Sequence, residues 1–260
     1  MLRFCANISF LFVELPMLDR PAAARDAGFE AVEILYPYDL NAAELGHAIA
    51  RAGLPLALIN GPPPNYTGSG AQPGFAAIPG GEDRFRHDFK RTYRYAQALG
   101  AERIHVMAGV AEGPEAGDTF VRNLEWAAQT YPKAQLSVEP LNMVDMPDYF
   151  LDDFSVALAV LDEIDAPNVS LQFDAYHAHR ITGDVLGTWE AVKHRVRHVQ
   201  IADAPGRHEP GSGEIDFDAF FAALEWEGYD GWVSCEYRPK AGTVEGLGWL
   251  AGQKSISESR

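Results

Sequence analysis

Eight strand-like segments, with a helical stretch in each of the seven gaps between them, predict a single (β/α)8 barrel spanning residues 1–260. Two further observations support that class. A chain of 260 residues, 47% of them hydrophobic, is the length at which a barrel closes as one domain. Neither a glycine-rich dinucleotide fingerprint nor a phosphate-binding P-loop occurs, which weakens an open nucleotide-binding sheet.

The elements follow in order. "LRFCANIS" reads as the first strand, because polar residues interrupt its apolar run and only one positive charge precedes it, unlike a signal peptide. A helix around "MLDRPAAARDAG", the strand "FEAVEIL", a helix around "NAAELGHAIARAG" and the strand "LPLALIN" come next. The Gly/Pro-rich "GPPPNYTGSGAQPGFAAIPGG" is long for a connection; it is expected to be either a lid over the rim or an ordered surface excursion. In the helix "EDRFRHDFKRTYRYAQALG" the aromatics recur at helical spacing, a packing pattern. "RIHVMAG", "QLSVEP", "NVSLQFD", "HVQIAD" and "GWVSCEYRP" supply strands four to eight. The helices between them are "GDTFVRNLEWAAQTY", "LDDFSVALAVLDEI", "GDVLGTWEAVKHR" and "DFDAFFAALEWEG", with a short closing helix at "GTVEGLGWLAG". Gly28, Gly53 and Gly100 stand at helix ends, where a left-handed residue is needed.

The net charge of −16 repels a phosphate backbone, so no nucleic-acid partner is expected; a small anion remains admissible where a local cation reverses the field. No run approaches the roughly 18 apolar residues of a membrane span, and no membrane partner is expected. Cys5 and Cys235 lie far apart without a CxxC, which excludes a disulfide framework and fits a cytoplasmic location. Whether subunits associate into a homo-oligomer is left open.

The later strands carry the chemistry. With a two-residue period, Ser137 and Glu139 share a face; so do Ser170, Gln172 and Asp174; His198 and Gln200; and Trp232, Ser234 and Glu236. Parallel strands covered on both sides are normally apolar throughout, so a polar inner stripe repeated four times is a departure. Its last members, Glu139, Asp174, Gln200 and Glu236, stand at strand ends 35, 26 and 36 residues apart, about one βα unit each. They therefore converge on the rim where barrel enzymes keep their sites. Three carboxylates together need a divalent cation or retained protons, and oxygen donors of this kind suit Mg²⁺ or Mn²⁺. His105, Glu33 and Asn60, also near strand ends, either line the pocket or serve the interior; the role of Asp203 stays open. His177 either contacts substrate or caps a helix, and Arg207 either forks onto a carboxylate or is a solvated loop charge.

With these residues in place, the chain resembles the hydroxypyruvate isomerase family of xylose-isomerase-like barrels. The matching segments run from "FCANISFLF" and "GFEAVEILYPY" through "INGPP", "VEPLN" and "QFDAYH" to "HVQIADAPGRHEPGSGEIDF" and "GYDGWVSCEYRP". The resemblance implies that Glu139 and Glu236 both ligate a metal and move protons, that Asp174 and Gln200 complete the metal shell, and that His177 and Arg207 contact substrate. Related sugar epimerases carry His where Gln200 stands. The weaker amide ligand implies chemistry that does not strictly require the metal. The implied substrate is a small anionic hydroxy-keto acid, hydroxypyruvate or a longer 2-oxo-tetronate, isomerised through an enediolate. Competing readings are a 3-keto-sugar epimerase, an apurinic endonuclease and a barrel retained for binding alone. Gln200, the acidic charge and the intact glutamate pair speak against them in turn.

Overall fold

The structure, a computed structural model, describes residues 1–61, 73–164 and 166–258, with side chains described as far as residue 253. Eight parallel strands close into a barrel in sequential order: β1 (Arg3–Asn7), β2 (Ala31–Ile34), β3 (Leu56–Gly61), β4 (Ala101–Val106), β5 (Leu136–Val138), β6 (Val169–Asp174), β7 (Val196–Ile201) and β8 (Trp232–Cys235). The helices α1 (Arg20–Asp26), α2 (Ala42–Ala52), α3 (Glu82–Leu99), α4 (Pro114–Thr130), α5 (Phe154–Glu163), α6 (Ala175–Thr182), α7 (Val185–Val192), α8 (Phe217–Trp226) and α9 (Gly248–Glu258) accompany them. This is the (β/α)8 barrel that the alternation predicts.

Local chemistry explains the boundaries. Asn41 and Asp153 accept backbone N–H groups at the starts of α2 and α5, where a helix leaves its first donors unpaired. Gly53 and Gly100 end α2 and α3 in the left-handed region, with φ of +71° and +70°. The connection after β6 differs from expectation. Ahead of the helix read at "GDVLGTWEAVKHR" it holds a further one, α6, because Asp174 accepts Tyr176 N–H at 2.7 Å and caps a new helix directly off the strand. His177 therefore sits in a first helical turn.

The apolar face of each strand packs under the helices. Phe173 of β6, for example, meets Trp189 of α7 and Phe220 of α8 with ring centroids 5.4 and 5.6 Å apart. Phe85 and Phe89 of α3 are wholly buried and pack on Trp126 and Tyr131, as the aromatic spacing predicts. The other face fills the barrel. At its amino end Cys5, Ala31 and Ala57 form a small cluster with Trp232, and towards the carboxyl end the filling is polar. Both cysteines are buried and free. Residues 62–72, part of the long segment read as either a lid or a surface excursion, lie outside the described residues. The part that follows is tied down: Gly74 bridges Ala108, and Ala77 N–H donates to Ala108 O at 2.8 Å.

Candidate active site

At the carboxyl rim, two side-chain amides form a floor that joins three acidic groups, Glu139, Glu236 and Glu33. Gln172 donates through Nε2 to Glu139 Oε2 at 2.8 Å and to Gln200 Oε1 at 2.6 Å. Gln200 in turn donates through Nε2 to Glu236 Oε2 at 2.5 Å and to Glu33 Oε1 at 2.6 Å. Glu33, which the site holds ionised, can only accept, so it fixes the way the Gln200 amide points. Asn7 repeats the bridge one layer across, donating to Glu33 Oε1 at 2.8 Å and Glu236 Oε2 at 2.9 Å. Each glutamate thus has one oxygen held by amides, while Oε1 of Glu139 and Oε1 of Glu236 remain outside that floor.

Register explains why these groups meet. Asp174 is paired with Gln200 across β6 and β7, Gln200 with Ser234 across β7 and β8, and Asn7 with Glu33 across β1 and β2. Glu139 and Glu236 stand one residue beyond the ends of β5 and β8, so their carboxylates rise above the last ladder bonds into a cavity of about 510 Å³. Asn60, His105, His177, Gln200 and Arg207 line the same cavity.

Arg207 comes from the loop after β7, in the left-handed region at φ +55°, a conformation that a non-glycine residue holds only when its surroundings enforce it. The enforcing contacts are Arg238 N–H on the Arg207 carbonyl at 2.8 Å and, for the side chain, Glu236 Oε1 on Nη2 at 2.5 Å. Asp174 and Asp145 approach the same guanidinium at 3.7 and 3.8 Å, and it lies over the rings of Phe10 and Tyr176. His177 presents Nδ1 to two donors, the backbone N–H of Asn142 at 3.0 Å and its amide at 2.8 Å. The neutral ring therefore carries its proton on Nε2, which faces Asp174 Oδ2 at 3.8 Å.

Burial and crowding set the protonation of the group. Desolvation, then the charges of Asp174 and Glu236, push the Glu139 carboxyl well above its ordinary range. Burial does the same to Glu236 against the opposing charge of Arg207, and raises Asp174 less. Glu33 goes the other way. Burial would raise it, but His198 at 2.6 Å and the amide donors outweigh that and hold it ionised. His105 is lowered to about 3 by burial, so it stays a neutral ring. Its Nδ1 faces Asn60 Oδ1 at 3.3 Å and Glu139 Oε2 at 3.5 Å. His177 is held well below the usual histidine range by burial and by Arg207.

Among the described residues no lysine or arginine bonds directly to Glu139 or Asp174; Arg207 bonds to Glu236 and stands 3.7 Å from Asp174 Oδ2. Asp174 Oδ2 is buried without a hydrogen-bond donor. Ligand atoms of Glu139, Asp174 and His177 lie within 4.8 Å of one another. An orphaned buried carboxylate oxygen beside a second carboxylate fits a divalent cation. His177 fits that role less well, because two donors occupy its Nδ1 and leave the proton on Nε2. Gln200 would have to serve through Oε1, which already accepts from Gln172.

All nine residues singled out from the sequence gather at this one end of the barrel: Glu33, Asn60, His105, Glu139, Asp174, His177, Gln200, Arg207 and Glu236. Glu33 lies beneath the cavity, within the hydrogen-bonded floor. Asp203 braces a loop, accepting from Gly213 N–H at 2.8 Å and Ile215 N–H at 3.0 Å. Asn7, Asn142 and the bridging role of Gln172 were not singled out. Asn7 ends β1 in register with Glu33 of β2, and the period-two pattern in "FCAN" would have found it.

The family description "Xylose isomerase-like TIM barrel" matches residues 21–253. The chain is similar to a 2-oxo-tetronate isomerase of Cupriavidus necator, with 42% identity covering 95% of this chain and 97% of that one. It is also similar to the hydroxypyruvate isomerase of Escherichia coli, with 38% identity covering 96% and 98%. A crystal structure described as an AP endonuclease, family 2, from Brucella melitensis superposes with a TM-score of 0.92 at 39% identity, covering 97% of this chain and 99% of that one. By these matches along nearly its whole length, the chain belongs to the xylose isomerase-like TIM barrel family, in its hydroxypyruvate isomerase branch, and is an isomerase.

Proposed function

We propose that the protein interconverts hydroxypyruvate and tartronate semialdehyde, with Glu139 and Glu236 as the proton-transferring pair. The observation that carries this is the placing of two carboxyl groups, both raised towards neutrality, in one cavity and joined beneath by Gln172 and Gln200. A carboxyl whose proton affinity is raised above the ordinary carboxylate range can both take and return a proton.

One glutamate removes the proton from C3 of hydroxypyruvate. The C–H electron pair becomes the C2–C3 double bond, and the carbonyl π pair moves onto the C2 oxygen. Protonation at C2 by the same or the facing glutamate, with the hydroxyl proton passing from the C3 oxygen to the C2 oxygen, yields the aldehyde. No atom is gained or lost. Arg207 holds Glu236 in place, and His177 Nε2–H and Arg207 donate to the oxygens on which charge develops. His105, itself beside Asn60 Oδ1, approaches the same Glu139 oxygen that Gln172 holds. A Mg²⁺ or Mn²⁺ ion held by Glu139 and Asp174 would supply further positive charge at those oxygens when bound.

A 2-oxo-tetronate, one carbon longer, would undergo the same proton transfer, and relatives of both descriptions are about equally similar. Side-by-side assays on the two acids decide between them. A nucleic-acid reading would follow the description of the Brucella structure. The net charge of −16 opposes it, as does the occurrence of one clustered His/carboxylate group among the described residues.

Glu139→Gln and Glu236→Gln keep the shape and remove the base. Each should lower kcat by roughly 10²–10⁴-fold with the fold intact by circular dichroism. In D₂O the product should carry solvent deuterium on carbon. Near-normal turnover in both variants sinks the mechanism.

A further inference from the structure

Building on the acid-isomerase reading above, we infer that Arg238, rather than the deeper Arg207, recognises the carboxylate of the substrate. The need follows from charge. A hydroxy-keto acid brings a negative group into a site that already holds Glu139, Asp174 and Glu236, so it requires a cation that those groups have not neutralised. Arg207 does not supply an uncompensated charge, although its buried Nε has no hydrogen-bond partner and can donate to a substrate oxygen. Its guanidinium is bound to Glu236 at 2.5 Å and flanked by Asp174 and Asp145 at 3.7 and 3.8 Å, three carboxylates around one charge.

Arg238 stands two residues beyond Glu236 and borders the same cavity. Among the described residues its guanidinium has no carboxylate partner. Its side-chain contact is the ring of Phe10, with Cζ 5.6 Å from the centroid. Phe10 carries Arg207 as well, at 5.2 Å, so one aromatic ring spaces a committed arginine and an uncommitted one. The backbone of Arg238 is fixed even though its side chain is exposed. Its N–H donates to the Arg207 carbonyl at 2.8 Å, and its carbonyl pairs with His208 Nδ1 at 2.7 Å. A planar guanidinium fork held there would take a carboxylate through two parallel N–H donors. The remaining carbons would then point down towards Glu139 and Glu236. Arg238 also borders a second cavity of about 640 Å³ that shares Phe10, Leu35 and Tyr36 with the first. A four-carbon acid held by its carboxylate at Arg238 therefore has space on either side.

The test compares Arg238→Gln, Arg238→Lys and Arg207→Gln with the unaltered protein. Steady-state turnover is measured on hydroxypyruvate and on a 2-oxo-tetronate, and calorimetry gives the affinity for glycerate, an unreactive carboxylate of the same length. Loss of a charge-assisted fork should raise KM and the glycerate Kd of Arg238→Gln roughly 10- to 100-fold, with a much smaller change in kcat. Arg238→Lys should recover part of that loss, and added salt should erase the recovery because the mouth is solvated. Three results overturn the inference: KM and Kd unchanged in Arg238→Gln, a fall in kcat alone, or glycerate binding that depends on Arg207 and not on Arg238. If the unaltered protein turns over neither acid yet binds glycerate through Arg238, the isomerase reading falls and the anion site stands. If it neither turns over the acids nor binds glycerate, both fall.

Discussion

Gln172 touches no solvent and carries no charge, yet it is the donor that Glu139 and Gln200 share. Its carbonyl accepts from Ser137 Oγ at 3.0 Å, so both its donors and its oxygen are engaged within the barrel. Gln172→Leu would keep the volume and leave a buried carboxylate oxygen, an amide oxygen and a hydroxyl without partners. Each orphaned group costs about 1–3 kcal/mol, so the midpoint of thermal unfolding should fall markedly. Glu139, freed from its amide, should also lose orientation, and kcat should drop with little change in KM. A variant with unaltered melting and turnover would show that the amide floor is not what positions the glutamate. The conflict seen at Gln200 belongs to the same scale. A residue expected as a metal ligand has its amide donors on two carboxylates and its oxygen on a third side chain.

The loop that follows β7 shows how an element holds a site. Asp203 accepts from the backbone N–H groups of Gly213 and Ile215, and its own backbone pairs with His208 in a small bridge. Between those ties lies Arg207. Gly213 is needed there because a Cβ would meet the Ala204 carbonyl oxygen at 1.9 Å. Asp203→Ala removes both side-chain ties and should lower stability by about 1–3 kcal/mol. It should also lower kcat more than a remote variant of equal melting temperature, since Arg207 would no longer fix Glu236. Equal activity at matched stability would separate the loop from the chemistry. The strands themselves were legible from local pattern, since a period of two places Ser170, Gln172 and Asp174 on one face whatever surrounds them. The helix after β6 was not, because its start depends on Asp174, a residue already assigned to the strand end, capping Tyr176 N–H.

For the molecule as a whole, opposed titrations meet in one site. Glu139, Asp174 and Glu236 have carboxyl groups raised in the folded state, chiefly by burial, so the folded protein holds protons that the unfolded chain releases. Their contribution to stability is full below the ordinary carboxylate range and is lost as pH rises towards their elevated folded values. His105, lowered from 6.5 to about 3, contributes fully above 6.5 and loses that contribution as pH falls towards 3. Glu33, lowered, likewise favours the folded state above the carboxylate range. A divalent cation competes with the retained protons. Millimolar Mg²⁺ or Mn²⁺ should therefore raise the melting temperature more at pH 8 than at pH 5, and a chelator should reverse the gain. Saturation a hundredfold above Kd is worth about 2.7 kcal/mol. An unchanged melting temperature at both pH values would mean that protons alone neutralise Glu139 and Asp174.

The order of strands and helices, the polar inner stripe and the rim on which it ends are determined by the sequence itself, because each rests on neighbours a few residues apart. Which polar groups pair was decided only by closure of the barrel. Closure sets β8 beside β1, so Asn7 reaches Glu236 across 229 residues and Gln200 reaches Glu33 across 167. Those distant contacts choose which carboxylates are neutralised and which arginine stays uncommitted, and no periodicity along the chain encodes them.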